Sequence, residues 1–125
     1  MSVFVDKTGG LAFVTIDNPP VNAASQAVRT GLLAAIATTE ADDTVEAVIL
    51  RAAGATFTAG ADVSEFDKSP QEPHLPDVIL ALEGTTKPWI AALHGNILGG
   101  GLEIALGCHY RVAHENRNWA CPRLH

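Results

Sequence analysis

The order of apolar runs predicts an α/β fold with parallel strand pairing. Strand-like and helix-like patterns alternate along most of the chain, and strands separated by helices pair in parallel through crossover connections. Two dense apolar runs, AVIL and WIAAL, have the character of buried strands, and each is followed by a loop rich in glycine. In such sheets, ligands gather where strand ends meet helix N-termini.

Each element has its own signal. Val3 to Asp6 and Leu11 to Asp17 are short β-prone runs, split by Lys7-Thr8-Gly9-Gly10 as a hairpin would be. Asn18-Pro19-Pro20 ends the second run, because proline cannot continue a ladder. Ser25 caps an expected helix to about Thr39, with Val28, Leu32, Leu33 and Ile36 on one face. Glu40 to Thr44 is an expected acidic loop, and Val45 to Ala52 an expected strand buried on both faces. The segment AAGATFTAGADVSEF, small and glycine-bearing, has the character of a loop that approaches a ligand closely. Asp67 to Pro76, with three prolines, is an expected mobile connection. Next come a short helix from Asp77 to Thr85, a strand from Trp89 to Leu93, a helix opened by Gly99 to Gly101 and running to about Leu106, and a strand from His109 to Ala113.

Composition narrows the function. At 125 residues the chain has the length of one modest domain, and 47% hydrophobic against 18% charged residues is a globular balance. A formal charge of −6 opposes nucleic-acid binding, since no Lys/Arg stripe is present to neutralise phosphates. The N-terminus MSVFVDKTGG lacks a basic-then-apolar signal layout, and no apolar run reaches membrane-spanning length. A cytoplasmic location is therefore expected. Cys108 and Cys121 suggest neither a disulfide framework nor metal spacing, and Cys108 is expected in the core. His109 and His114 lie five apart rather than at the i,i+4 spacing of a helical metal site, so no metal is expected.

The two glycine loops carry the chemistry. Adjacent loops at strand ends could each offer one backbone N–H to a single developing oxyanion. Glu103, two residues after the last of three glycines, would lie near the same point. The plainer readings are a tight turn for the glycines and a dipole partner for the acid. GNILGGG matches neither phosphate-loop pattern.

Three segments in this order, LAFVTIDNPPVNAAS, VEAVILRAAGATFTAGADVSEF and KPWIAALHGNILGGGLEIALGCHYRVA, resemble the enoyl-CoA hydratase/isomerase (crotonase) family. GLEIALGCHYRVA looks most like the hydratase part of bifunctional enoyl-CoA hydratase/3-hydroxyacyl-CoA dehydrogenases of β-oxidation. The resemblance covers Val3 to Ala113 and implies the N-terminal part of a crotonase-like fold, a spiral of repeated β-β-α units. It implies an oxyanion hole from the Ala61 and Gly100 N–H groups. Ala59, Gly60, Ala61 and Asp62 would line the substrate, and Glu103 would be the catalytic acid/base. Asp62 and Glu65 are read first as cap and surface groups. The implied substrate is an acyl-CoA thioester, which brings its own coenzyme A, so no cofactor is expected. Family members are typically oligomeric.

Hydration in this family uses a second glutamate, expected twenty positions after Glu103. Arg123 stands there, in a segment, HENRNWACPRLH, unlike the sequence before it. Arginine stays protonated and cannot replace that acid. Residues 1–113 are thus read as the N-terminal part of the domain and 114–125 as a divergent tail. In the frame starting on the third base of each codon, Asn118 to Ala120 must read leucine then glycine. The neighbouring triplets permit K/Q-L-G-L-P-E-V, the family segment with its glutamate. A frameshift from about residue 114 is one expectation, a genuine divergent terminus the other. The expected activity is hydration of trans-2-enoyl-CoA, impaired in this chain. The alternatives are an isomerase working with one glutamate, a non-catalytic acyl-CoA binder, and a generic nucleotide binder.

Overall fold

The computed structural model describes residues 2–19, 22–54, 56–59, 72–98, 100–113 and 118–120. Strands β1 (Val3–Thr8) and β2 (Leu11–Ile16) form an antiparallel hairpin, with Thr8 opposite Leu11. The hairpin turn narrows to Gly9-Gly10, because Lys7 and Thr8 stay in the ladder. Helix α1 (Gln26–Ala41) begins at Ser25, whose hydroxyl accepts the Val28 N–H at 3.3 Å. It buries Val28, Leu32, Ala35 and Ile36, while Leu33 is only partly buried. The helix takes in Glu40, so the acidic loop begins later than expected.

Strand β3 (Ala47–Ala52) pairs in parallel with β2, and β5 (Trp89–Leu93) in parallel with β3. Between them lie β4 (Thr56–Ala59) and helix α2 (Leu75–Glu83). After β5 come β6 (Asn96–Leu98), helix α3 (Gly100–Gly107), β7 (Tyr110–Ala113) and β8 (Asn118–Ala120). A five-stranded sheet runs β1-β2-β3-β5-β7, and a three-stranded sheet runs β4-β6-β8. Each repeat therefore gives its first strand to the large sheet and its second to the small one. A helix comes after the second strand in the two repeats β3-β4-α2 and β5-β6-α3. This is the repeated β-β-α plan of the crotonase-like fold.

The core lies on one face of the large sheet. Val14, Leu50 and Ala91 form one row across β2, β3 and β5, each fully buried. Trp89 and Phe57 are the largest of the fully buried side chains.

The structure corrects several expectations. β3 is not buried on both faces: Val48 and Leu50 are inside, Ala47 and Ile49 are half-buried, and Arg51 is exposed. Arg51 lies over the Phe13 ring at 4.5 Å, so that face of the sheet is partly wet. The supposed loop after β3 contains β4, whose small residues masked a strand that buries Phe57. The connection expected to be mobile is pinned where it is described: Gln26 Nε2 donates to the Glu72 carbonyl at 2.9 Å, and Arg29 Nε to that of Pro73 at 2.7 Å. Residues 67–71 of it lie outside the described residues. Helix α2 starts two residues early at Leu75, after a capping box between His74 and Asp77, because proline is accommodated in a first turn. β6 and β8 are too short to show a period-two pattern in sequence.

Candidate functional site

The ends of the small sheet assemble the candidate site. β4 and β6 run parallel, with Thr56 opposite Asn96 and Ala59 opposite Leu98. β6 and β8 also run parallel, with Leu98 opposite Ala120. Ala59, Leu98 and Ala120 thus form one row, and the C-terminal ends of the three strands lie at the same end of the sheet. Ala61 lies two residues beyond Ala59 in sequence, and Gly100 two beyond Leu98. In sequence, the two expected N–H donors thus follow two hydrogen-bonded strands at the same spacing. Ala59 and Gly100 are in described elements, whereas Gly60, Ala61, Asp62 and Glu65 lie outside the described residues.

A β-bulge sets how β4 arrives. The register shifts between Thr56 and Thr58, so Phe57 is an extra residue relative to β6. Bulges bend a strand and re-aim the residues beyond them. Here the fully buried Phe57 anchors the bulge in the core.

Glu103 sits in the first turn of α3, half-buried, beside the fully buried Ile104 and Ala105. The first turn of a helix favours negative charge, because its N–H groups lack intrahelical partners. α3 packs on β4 and β6 and against α2, so the carboxylate is carried by an element fixed to the small sheet. The packing with α2 is close at Gly107, where a Cβ would stand 3.4 Å from Ile79 Cγ2. At the other end of α3, Arg111 Nη1 donates to the Cys108 carbonyl at 3.0 Å. Cys108 is buried, as expected, and burial pushes its thiol up to about 12 against a weaker opposing pull from Arg111. It is a core group rather than a nucleophile.

Two polar side chains at the entry to β4 escaped the sequence reading. His94 Nε2 is 2.8 Å from the Gly54 carbonyl, and Asn22 Nδ2 donates to the Ala53 carbonyl at 2.8 Å. Asn22 could have been noticed, since an Asn after Asn-Pro-Pro readily takes the left-handed conformation it adopts, φ 53°. Among the described residues no three His, Cys, Asp or Glu side chains are grouped to hold a metal. Likewise, no helix among them is long and apolar enough to cross a membrane.

Known proteins share this sequence and fold. The enoyl-CoA hydratase/isomerase family matches residues 6–125. A peroxisomal bifunctional enzyme of Danio rerio is 40% identical over 114 residues, covering 91% of this chain and 16% of that protein. A probable enoyl-CoA hydratase of Bacillus subtilis (strain 168) is 38% identical over 121 residues, covering 91% of this chain and 47% of that protein. Among solved structures, an enoyl-CoA hydratase/isomerase from Xanthobacter autotrophicus Py2 superposes with a TM-score of 0.89 at 31% identity, over 99% of this chain and 50% of that one. The chain thus spans about half the length of its single-function relatives and a much smaller share of the bifunctional ones. Matched over nearly its whole length and sharing the repeated β-β-α core, the chain belongs to the enoyl-CoA hydratase/isomerase family.

Proposed function

We propose that this chain carries the acyl-CoA thioester site of an enoyl-CoA hydratase and acts in fatty-acid β-oxidation. The observation that carries the proposal is the shared row of Ala59 and Leu98, with Glu103 in the first turn of the helix that follows β6. In this reading the Ala61 and Gly100 N–H groups donate to the thioester carbonyl, with Ala59, Gly60 and Asp62 alongside the substrate. As water adds to C3 of a trans-2-enoyl thioester, charge moves onto that oxygen, and fixed donors stabilise it without reorganising. Glu103 takes the proton from water as the C3–O bond forms. Glu103 returns that proton to C2 on the same face as the oxygen charge moves back into the carbonyl, so that OH and H of one water are both added. The substrate brings its own coenzyme A, and no step needs a metal or a further cofactor.

One observation favours a second reading. In sequence, Arg123 stands three positions after Ala120, where the family's second glutamate is expected. With one carboxylate, a proton shuttle between C2 and C4 of a 3-enoyl thioester is easier than hydration, and the isomerase reading rests on that. A chain that binds acyl-CoA without turnover is the remaining outcome. Assaying crotonyl-CoA hydration and 3-enoyl-CoA isomerisation side by side tests all three. Hydration that exceeds isomerisation supports the first reading, the reverse supports the second, and binding without either supports the third.

Location and assembly are proposals too. The cytoplasm is proposed as the location. Several relatives carry peroxisomal or glyoxysomal in their names, so fractionation that finds the chain in such an organelle would overturn it. No nucleic-acid or membrane partner is proposed, and self-association is.

A further inference from the structure

The segment that carries the large sheet's third strand into the small sheet is gripped from both sides. After β3 the chain turns through Ala53 and Gly54 before entering β4. Gly54 has φ +80° and Gly95, at the equivalent turn after β5, has φ +59°. A side chain at either would be strained. Ala53 and Gly54 lie between β3 and β4, outside both strands, so their carbonyls need partners.

Two side chains supply them. Asn22, itself 2% exposed, holds its loop by accepting the Asn18 N–H on Oδ1 at 2.7 Å. Its Nδ2 reaches across to the Ala53 carbonyl at 2.8 Å. The Ala53 N–H donates to the Ile16 carbonyl at 2.8 Å, closing the same junction from β2. On the opposite flank, His94 Nε2 meets the next carbonyl, Gly54 O, at 2.8 Å. Because a carbonyl only accepts, His94 must carry its proton on Nε2. Successive carbonyls of one turn are thus held by side chains from the loops after β2 and β5.

We propose that Asn22 and His94 are positioning residues that clamp the turn from β3 into β4 and thereby fix the register of β4 on β6. The proposal rests on the acyl-thioester reading for its functional meaning. Loss of register by one residue would carry Ala59 away from Leu98. His94 also immediately precedes Gly95 and β6, so one imidazole links the entrances of both paired strands.

The test compares His94→Leu, His94→Gln and Asn22→Ser with the parent chain. Glutamine places an amide donor close to where Nε2 stands, whereas leucine has none. Hydrogen exchange is measured at the β4 and β6 amides and at the β1–β2 hairpin, with crotonyl-CoA affinity measured by calorimetry. The expected result is about tenfold faster exchange at β4 and β6 in His94→Leu, an unchanged hairpin, and recovery to within about twofold in His94→Gln, with Asn22→Ser giving the same local pattern. Affinity should weaken in step. Unchanged exchange, a uniform rise throughout the molecule, or no rescue by glutamine would overturn the clamp. A parent chain that binds no crotonyl-CoA but shows the local exchange pattern would support the clamp and overturn the acyl-thioester reading alone.

Discussion

At the scale of single residues, the account depends most on Glu103. In the sequence it stands out as a lone acid among apolar residues just after three glycines, a place that a plain dipole partner could also take. The structure places it half-buried in the first turn of α3. Cys108 was legible as core, and it yields a pH prediction. Its folded-state thiol lies at about 12, above the ordinary value of 9.0. Below 9 the thiol is protonated in both states and its contribution is intact. Between 9 and about 12 only the unfolded state loses the proton, so stability falls as pH rises. Alkaline urea melts of the parent chain should therefore lose more stability across this window than those of Cys108→Ala. Equal slopes would contradict the burial. His94 and Asn22 were not legible as a pair, because a hydrogen bond spanning 40 residues, as between His94 and Gly54, leaves no local pattern.

At the scale of elements, helices with caps and strands with regular alternation were readable. Ser25 marked the start of α1 correctly, whereas its end was placed too early because the acidic residues there resemble a loop. The C-terminal turn of α1 contains no basic residue, although its carbonyls favour a cation. Lys87, from the segment before β5, supplies it: Nζ donates to the Thr39 carbonyl at 2.6 Å and to that of Asp42. Beside it the Thr86 hydroxyl and N–H hold the Glu40 carboxyl below its usual range. Replacing Lys87 by Met should cost about 2 kcal/mol, the worth of a hydrogen bond to a charged group, measured by denaturant unfolding. A second test concerns the seat of β1 on α1. A Cβ at Gly31 would stand 2.7 Å from Val3 Cγ2. Gly31→Ala should therefore destabilise by about 1–3 kcal/mol despite alanine's better helix propensity. Val3→Ala in the same chain should recover part of the loss, and additive losses would contradict the contact. The short strands β4, β6 and β8 were missed for a physical reason: with three or four residues each, pairing to neighbours defines them more than their own pattern does.

At the scale of the whole molecule, the α/β class emerged from the order of apolar runs and the repeated unit from the family resemblance, while the split into two sheets emerged from neither. Nothing in a local window tells which sheet a strand joins. The large sheet ends on β7, where Tyr110 and Val112 are each 63% exposed, and Phe4 and Leu80 are also exposed. Exposed apolar side chains at a sheet edge favour association. Light scattering should show self-association that lessens in Tyr110→Lys, whereas a monomer with a sharp melt at all concentrations would contradict this. The origin of the segment from residue 114 remains a proposal about the gene. Reading the coding DNA tests it: a K/Q-L-G-L-P-E-V segment in the alternative frame supports the frameshift, and its absence refutes it.

The central claim, as proposed above, is that Glu103 works with backbone donors at Ala61 and Gly100 to act on an acyl-CoA thioester. Its most direct test is turnover of crotonyl-CoA by the parent chain and by Glu103→Gln, with both shown to be folded. The account predicts hydration above background in the parent, slowed by the arginine at position 123, and at least about a hundredfold lower in Glu103→Gln. Equal turnover in the two chains would contradict it.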